Sequence, residues 1–265
     1  MLYRRHSNHS YGFLAAVLLL ALLDCSLTAV AQKSPLSPSD TVREFYKALR
    51  EKRFREAFAL SIYKPAIEGL KPQEFEDLRP DFEKVAGVLP EKVEITGEQI
   101  SGDQATVFMK VPRDDDPAQS DIAPISLIRA GDSWILGDKD NQEVVRKAGK
   151  KFFFDARIDT HHSEVQAMLQ RINLAQLAYF QQHGGLFADL PTLITVGLLP
   201  KDLEGTESTG YRFHITLGKD AKSFTVSAEP AQYGRTGRLS FFMDRAGVRS
   251  GDVSGKPLPV PPLVP

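Results

Sequence analysis

The chain has 265 residues, of which 42% are hydrophobic and 25% charged, and its formal net charge is -1. A chain of this length holds one large or two small domains, and this composition is typical of globular proteins rather than of disordered ones. The charge is close to neutral, and basic residues occur in short mixed runs such as Arg146–Lys151. The sequence therefore excludes the basic footprint of a nucleic-acid-binding protein.

The first residues have the pattern of a secretory signal. Arg4–Arg5 precede the apolar run Phe13–Leu23, and Ala29 and Ala31 supply small residues at the two positions that a signal peptidase reads. The apolar run is shorter than the roughly 20 residues that span a bilayer. We therefore predict that residues 1–31 are a signal peptide and that the protein is exported, to the periplasm or the extracellular space. Membrane association is expected only through an uncleaved signal.

The single cysteine, Cys25, lies inside this predicted signal. A lipid-modified cysteine normally follows a small residue, whereas Cys25 follows Asp24, so lipidation is the lesser alternative. The mature chain is then without a cysteine, and its stability must come from hydrophobic cores rather than from disulfides.

Residues 32–39 are a predicted linker, and residues 40–150 are the first predicted module. Asp40 or Thr41 can cap its first helix. Apolar residues at helical spacing predict two helices that share one face: Val42, Phe45, Tyr46, Leu49, Phe54, Ala57 and Phe58.

Two prolines interrupt the next helical pattern. Pro72 and Pro80 each suit a first helical turn, so the segment that ends at Gly87 is predicted to break into two helices. From Val93 the apolar residues recur at alternate positions, as in strands: Val93, Ile95, Ala105, Val107, Met109, Val111, Ile125, Leu127, Trp134 and Leu136. Helices followed by an antiparallel meander predict an α+β fold in which helices cover one face of a curved sheet.

Three stretches of this module, Asp40–Leu49, Phe54–Phe58 and Gly131–Trp134, resemble the nuclear-transport-factor-two-like, cystatin-like cone superfamily. The resemblance implies that an enzyme of this type would carry an Asp, Glu or His inside the cone. The inward positions here are Val, Ile, Met, Leu and Trp, and no histidine occurs between Gln32 and Thr160. We therefore predict no catalytic residue and no enzyme, and an isomerase or hydrolase on the cone is the least favoured alternative.

A hollow cone would instead suit an apolar ligand. Phe45, Phe58, Met109 and Trp134 are the predicted lining residues, because binding pockets are mostly apolar and aromatic. The same four residues would also fill an ordinary hydrophobic core.

One acidic cluster invites a metal interpretation. Asp114–Asp116 are adjacent carboxylates between Pro112 and Pro117, and calcium prefers several oxygen ligands. A calcium loop spaces its ligands and contains a glycine, which this segment does not. We predict a solvated hairpin tip, with no metal and no cofactor.

Residues 161–254 are the second predicted module. A long helix presents one apolar stripe: Val165, Met168, Leu169, Ile172, Ala175 and Tyr179. Gly184–Gly185 ends this helix, and Asp189 and Gly197 bound a short second helix. Strands are predicted at Tyr211–Leu217, Phe224–Glu229 and Leu239–Asp244 and around Val248. The chain is thus predicted to hold two small α+β modules.

The second module resembles the globular part of type IV pilins and type II secretion pseudopilins. The matching residues are Tyr179, Gly185, Phe187, Leu190, Leu193, Gly210–Tyr211, Thr236–Gly237, Phe241, Asp244 and Gly247. A pilin also has a cut site followed by an apolar helix with glutamate at its fifth position. Gly12–Phe13 imitates the cut, but Val17 takes the place of the glutamate. The resemblance therefore implies a pilin-like body that lacks the polymerising helix.

The remaining segments connect or end the modules. Residues 151–160 are a predicted connection, although Phe152–Phe154 are too apolar for a free linker. His161–His162 are predicted to lie in a surface loop. Residues 255–265 are a predicted disordered, proline-rich tail, with docking into an aromatic groove as the alternative.

These patterns together predict an exported, non-enzymatic protein-interaction module of the cell envelope. Its partners would be envelope proteins, with a pilus or secretion apparatus as the implied setting. The alternative function is a carrier of a small apolar ligand in the cone of the first module.

Overall fold

The computed structural model describes residues 35–90, 92–113, 119–206 and 209–259, and it groups the chain from Leu36 onward as one unit. The predicted signal with Ala29 and Ala31, and the Asp114–Asp116 cluster, lie outside the described residues. Within the described part, no helix combines the length and hydropathy that crossing a bilayer requires.

Along the chain, a group of helices followed by four consecutive strands occurs twice. The first comprises α1 (Pro38–Arg50), α2 (Phe54–Ala59), α3 (Lys64–Glu68), α4 (Pro72–Gly87), β1 (Glu94–Ser101), β2 (Gln104–Pro112), β3 (Ser120–Ala130), β4 (Ser133–Leu136) and α5 (Lys139–Ala148). After a 3-10 turn at Gly149–Lys151, the second comprises α6 (Phe152–Gln182), α7 (Leu190–Thr195), a 3-10 turn at Lys201–Glu204, β5 (Tyr211–Leu217), β6 (Phe224–Pro230), β7 (Leu239–Asp244) and β8 (Gly247–Asp252).

Each succession forms its own antiparallel sheet, with the strand orders β1-β2-β3-β4 and β5-β6-β7-β8. In the first sheet Val107 is opposite Ile125, and in the second sheet Ala228 is opposite Phe213 on one side and Phe241 on the other. The predicted α+β fold class is confirmed. Alternation of inward apolar residues sets both registers, because a shift by one residue would turn the apolar set toward solvent.

Separate hydrophobic clusters stabilise the two halves. In the first, α1 packs on the sheet with Val42, Val107, Met109, Leu127 and Trp134, and a helical cluster forms from Leu49, Phe54, Phe58, Leu78 and Phe82. In the second, α6 packs on the sheet with Val165, Leu169, Ile172, Tyr211, Phe213, Val226 and Phe241. The buried residues of α6 recur at helical spacing, as its predicted stripe requires.

The first helix begins earlier than the Asp40 or Thr41 cap predicted from the sequence. Ser37 is the N-cap, its hydroxyl accepts a hydrogen bond from the backbone N–H of Asp40 at 3.1 Å, and Pro38 occupies the first turn. Serine followed by proline satisfies the cap and the fixed φ at once. The predicted linker therefore loses its last residues to α1.

The predicted break at Pro80 is wrong, because α4 runs through Pro80 without interruption. Proline lacks the N–H that would bond to the carbonyl of Glu76, but both residues are exposed, so water can solvate that carbonyl. Phe75, Leu78 and Phe82 are buried on the opposite side of the helix. Burial of these side chains offsets the cost of the interior proline.

The long helix also begins earlier than the sequence suggests. Residues 152–160, predicted as a connection, form the first turns of α6, and His161 and His162 lie within the helix rather than in a loop. Phe153 and Phe154 pack against the helical cluster of the first half, and Ile158 is 1% exposed. One continuous helix therefore contributes to the cores of both halves.

Candidate functional site

A cavity of about 280 Å³ opens beside the first sheet, close to the predicted ligand site. It is lined by Phe45, Ser61–Tyr63, Pro124–Ser126 and Leu136–Asp138. We refer to this cavity as the cone groove. Its walls come from α1, the turn before α3, the middle of β3 and the end of β4.

Backbone contacts hold the floor of the cone groove. The N–H of Ile62 donates to the carbonyl of Leu136 at 2.8 Å, and the N–H of Leu136 donates to the carbonyl of Leu60 at 2.9 Å. Gly137 follows with φ of +123°, and a Cβ at this position would lie 2.6 Å from Cγ2 of Ile62. Glycine is therefore needed here both for its backbone conformation and for the close approach.

Polar side chains at the cone groove are already engaged within the protein. The hydroxyl of Ser61 donates to the carbonyl of Phe58 at 2.8 Å and accepts from the N–H of Tyr63 at 3.2 Å. Asp138 caps α5 by accepting from the backbone N–H and the side-chain amide of Asn141, and these hydrogen bonds lower the pKa of its carboxyl. The side chains of Ser61 and Asp138 thus have structural roles.

The structure distributes the four predicted lining residues between different environments. Phe45 lines the cone groove and packs against both clusters of the first half. Phe58 lies in the helical cluster, within 6.5 Å of the rings of Phe45 and three other aromatic residues. Met109 and Trp134 are buried between α1 and the sheet. Among the described residues that line the groove, Phe45 is the one member of the predicted set.

The exposed side of α6 is a second candidate site. Leu174 is 66% exposed, Leu177 48% and Phe180 37%, and Leu186 in the following loop is 41% exposed. We refer to these four residues as the α6 surface. Between Val165 and Gln182 the helix has one charged residue, Arg171. Solvated helix faces normally carry many charges, so this composition is typical of a helix that packs against another protein.

Charged and aromatic groups join the two halves where α6 begins. The side chain of Arg157 is 8% exposed and donates to Asp77 at 3.0 Å and to Asp81 at 2.6 Å, both on α4. Arg235, in the loop before β7, also pairs with Asp77. The guanidinium groups of Arg157 and Arg235 lie 5.6 Å and 5.0 Å from the ring centre of Phe154. These contacts fix α6 against α4.

An adjacent cleft of about 230 Å³ is lined by residues of both halves: Glu74, Lys150, Lys151, Phe154, Asp155, Gly234, Arg235 and Arg238. Lys150 pairs with Glu74 at 3.4 Å, and Arg238 pairs with Asp155 at 2.6 Å. Its charges are thus largely used in ion pairs that bridge distant parts of the chain. The cleft serves the junction between the halves.

Two histidines of α6 also bind the loop before β7. Nδ1 of His161 lies 2.7 Å from the carbonyl oxygen of Thr236. Nε2 of His162 accepts from the backbone N–H groups of Arg238 and Leu239 at 3.2 Å and 3.3 Å. Burial lowers the pKa of His162, in keeping with its role as an acceptor. Both histidines therefore position a hairpin.

Sequence patterns did not reveal the charged junction. Asp77, Asp81 and Arg157 have no periodicity that sets them apart from solvated charges, and eighty positions separate Arg157 from Asp77. The one available signal was the apolar run Phe152–Phe154, because three consecutive phenylalanines are not expected in a flexible linker. In the described ranges, no three His, Cys, Asp or Glu side chains come together as metal ligands could.

Comparison with known proteins gives no family assignment. No family model matches the chain, and no curated protein matches it. A solved structure of a protein named as a candidate NTF2-like transpeptidase, from Campylobacter jejuni, aligns with 39% of this chain and 100% of its own. The two chains are 15% identical and the TM-score is 0.28. A TM-score this low does not show a shared fold.

Proposed function

We propose that this chain is an exported, non-enzymatic protein of the cell envelope that binds another protein through the α6 surface. The composition of α6 carries the proposal. Three large apolar side chains, Leu174, Leu177 and Phe180, are exposed on a stretch with the single charge of Arg171. Exposed apolar surface of this kind is stabilised when a partner removes it from water.

Aromatic contacts next to the α6 surface hold the side chain of Phe180 in place. Phe180 packs on Phe187 at 4.9 Å between ring centres, and Phe187 packs on Phe224 of β6 at 4.8 Å. The aromatic side chain at the end of the helix is thus supported from the sheet. A preformed surface loses less conformational entropy on binding than a mobile one.

The resemblance of the second half to the globular part of pilins and pseudopilins gives the partner its class. A subunit of a pilus or secretion apparatus, with an apolar helix of its own, is the proposed partner. The start of α6 favours lateral binding over polymerisation, because Phe153 and Ile158 are packed in the protein where a pilin would extend its apolar helix. The resemblance of the first half to the cone superfamily likewise remains part of this proposal and is a separate hypothesis about the fold of that half.

Site-specific photocrosslinking in envelope-containing cells tests this function. A photoreactive phenylalanine analogue at Leu174 should crosslink to a pilus or secretion subunit, whereas the same analogue at Val144 of α5, which is 56% exposed, should not. Leu177→Glu should remove the crosslink formed from position 174, because burying an unpaired charge is costly. Equal crosslinking from positions 174 and 144 would count against the α6 surface as the binding site.

The cone groove supports one alternative function, the carriage of a small apolar ligand. Its volume of about 280 Å³ is just below the roughly 300 to 1,000 Å³ typical of ligand pockets. Phe45 and Ile125 provide apolar wall. Native mass spectrometry of protein purified from its own envelope tests this alternative. Retention of a ligand that is lost on Ile125→Trp would favour a carrier, and a bare chain would remove the idea.

A further inference from the structure

The cleft between the two halves has a surplus of positive charge, and we refer to it as the junction cleft. Its volume is about 230 Å³. The charged side chains in its lining are four cations and two carboxylates: Lys150, Lys151, Arg235, Arg238, Glu74 and Asp155. Asp77 on α4, which pairs with Arg235, adds a third negative charge. One positive charge of this set is therefore not balanced.

The unbalanced charge is that of Lys151. Lys150 pairs with Glu74 at 3.4 Å, whereas the described part of the chain provides no ion-pair partner for Lys151. Lys151 ends the 3-10 turn, and α6 begins at the next residue. Phe154, in the first turn of α6, also lines the junction cleft, so the positive end of the helix dipole lies there as well. Both effects attract an anion.

The two arginines of the junction cleft retain donors that their ion pairs do not use. Arg238 bonds to Asp155 through Nη2, and Arg235 bonds to Asp77 through Nη1. Each guanidinium has five N–H donors. The side chains of Arg238 and Arg235 are 46% and 43% exposed, so the remaining N–H groups are open to solvent.

A phosphate group fits this combination of groups. Its oxygens accept several hydrogen bonds at once, and guanidinium groups bind it through pairs of parallel N–H···O bonds, while an ammonium adds a compact charge. The ring of Phe154 lies 5.0 Å from the guanidinium of Arg235 and restricts the orientation of that group. The donors are thus partly positioned before an anion binds.

We propose that the junction cleft binds a phosphate group through Lys151, Arg235 and Arg238. The group is either a free phosphate or part of a lipid headgroup, because the same oxygens are recognised in both. The three binding residues come from the turn before α6 and from the loop before β7, so the bound group connects these two segments. This site is separate from the α6 surface, and the proposal does not depend on protein binding there.

Isothermal titration calorimetry of the exported protein with inorganic phosphate, at constant ionic strength, tests the site. Lys151→Gln removes the unbalanced charge. Lys147→Gln, on α5 and outside the lining of the junction cleft, is the charge-matched control. Arg238→Lys keeps the charge but removes the planar group. Circular dichroism verifies the fold of each variant.

Cosedimentation with phosphatidylglycerol vesicles, with phosphatidylcholine vesicles as the reference, distinguishes the two sources of the phosphate group. Saturable binding of inorganic phosphate identifies a soluble ligand. Selective binding to phosphatidylglycerol that Lys151→Gln abolishes identifies a lipid headgroup.

Lys151→Gln should weaken the binding about tenfold, as expected for the loss of one charge-assisted hydrogen bond, and Lys147→Gln should leave it unchanged. Arg238→Lys should also weaken it, because lysine cannot donate two parallel bonds. Absence of binding to both phosphate and phosphatidylglycerol would overturn the proposal. So would equal weakening by Lys151→Gln and Lys147→Gln, since that would show attraction by the general surface charge.

Discussion

Arg157 and Asp77 are separated by eighty positions, yet Nη1 of Arg157 lies 3.0 Å from Oδ1 of Asp77. The arginine is on α6 and the aspartate is on α4, so this pair connects the two halves of the protein. Arg157 also bonds to Asp81 and to the backbone carbonyl of Asp77. Its planar group of five donors suits this bridging role better than the single ammonium of lysine would.

Replacement of Arg157 should loosen this junction. We expect Arg157→Ala to lower the free energy of unfolding by about 2 kcal/mol, measured by urea denaturation. The value is below that of a fully buried pair, because Asp77 and Asp81 are 34% and 42% exposed and water compensates part of the loss. Arg157→Lys should recover less than half of it.

Arg146→Ala provides the control for that experiment. Arg146 is 69% exposed and pairs with Glu143 on the same helix, so its loss should leave the free energy of unfolding nearly unchanged. If both alanine variants had the same stability, the connection through Arg157 would be energetically unimportant.

Gln176 should be essential for the structure after α6. Its side chain is 0% exposed, donates to the carbonyl of Ala188 at 2.6 Å and accepts from the N–H of Ala188 at 3.0 Å. Gln176→Met keeps the volume but leaves two buried backbone groups without partners. We expect a loss of about 2 to 4 kcal/mol by chemical denaturation, with faster hydrogen exchange at the Ala188 amide.

The matched variant is Gln170→Met, since Gln170 lies on the exposed side of the same helix. It should change stability by less than about 0.5 kcal/mol. Unchanged protection of the Ala188 amide in Gln176→Met would show that other contacts hold this loop.

The requirement for glycine should be stricter at position 137 than at position 131. Both have positive φ, but a Cβ would meet Ile62 at 2.6 Å at Gly137 and nothing within 4 Å at Gly131. Gly131→Ala should therefore cost about 1 kcal/mol, from backbone conformation alone, and Gly137→Ala about 3 kcal/mol or more. Thermal and urea unfolding measure both. Equal losses would mean that Ile62 moves aside freely.

Protonation of His162 should destabilise the fold. Burial holds its folded-state pKa below the ordinary value of 6.5, so between the two values the unfolded chain binds a proton that the folded chain does not. The stabilising contribution is complete above about pH 6.5 and is lost as the pH falls through this window. Protonated Nε2 can no longer accept from Arg238 and Leu239.

Urea unfolding at a series of pH values between about 7.5 and about 5 measures this effect. His162→Gln should reduce the slope in that window, because an amide oxygen can accept the same hydrogen bonds without titrating. Parallel profiles for the two proteins would assign the pH dependence to other groups.

Local patterns predicted much of the second half. The strand Tyr211–Leu217 and the strand Leu239–Asp244 have the predicted bounds, and Asp189 caps α7 by accepting from the N–H of Thr192. Alternating apolar residues and capping signals act over a few positions, so they can be read from sequence. Val165 and Ile172 are both fully buried, as their helical spacing predicted.

The features that local patterns missed depend on contacts between distant segments. The start of α6 was missed because Phe153 and Phe154 become helical against a helical cluster far away in sequence. Glu229 occupies an outward position of its strand, and alternation alone predicts that such a residue faces water. Its side chain is nevertheless only 5% exposed, a burial that strand periodicity does not encode.

The shared helix α6 has a practical consequence for dissecting the protein. A cut just after Phe152 would leave one fragment with exposed Phe58 and Phe82, which Phe153 otherwise covers, and the other with an exposed Phe153 at the start of its helix. Both fragments would tend to aggregate, for reasons unrelated to the role of either half. The separate roles of the two halves are therefore better tested by point substitutions in the intact chain than by expressing fragments.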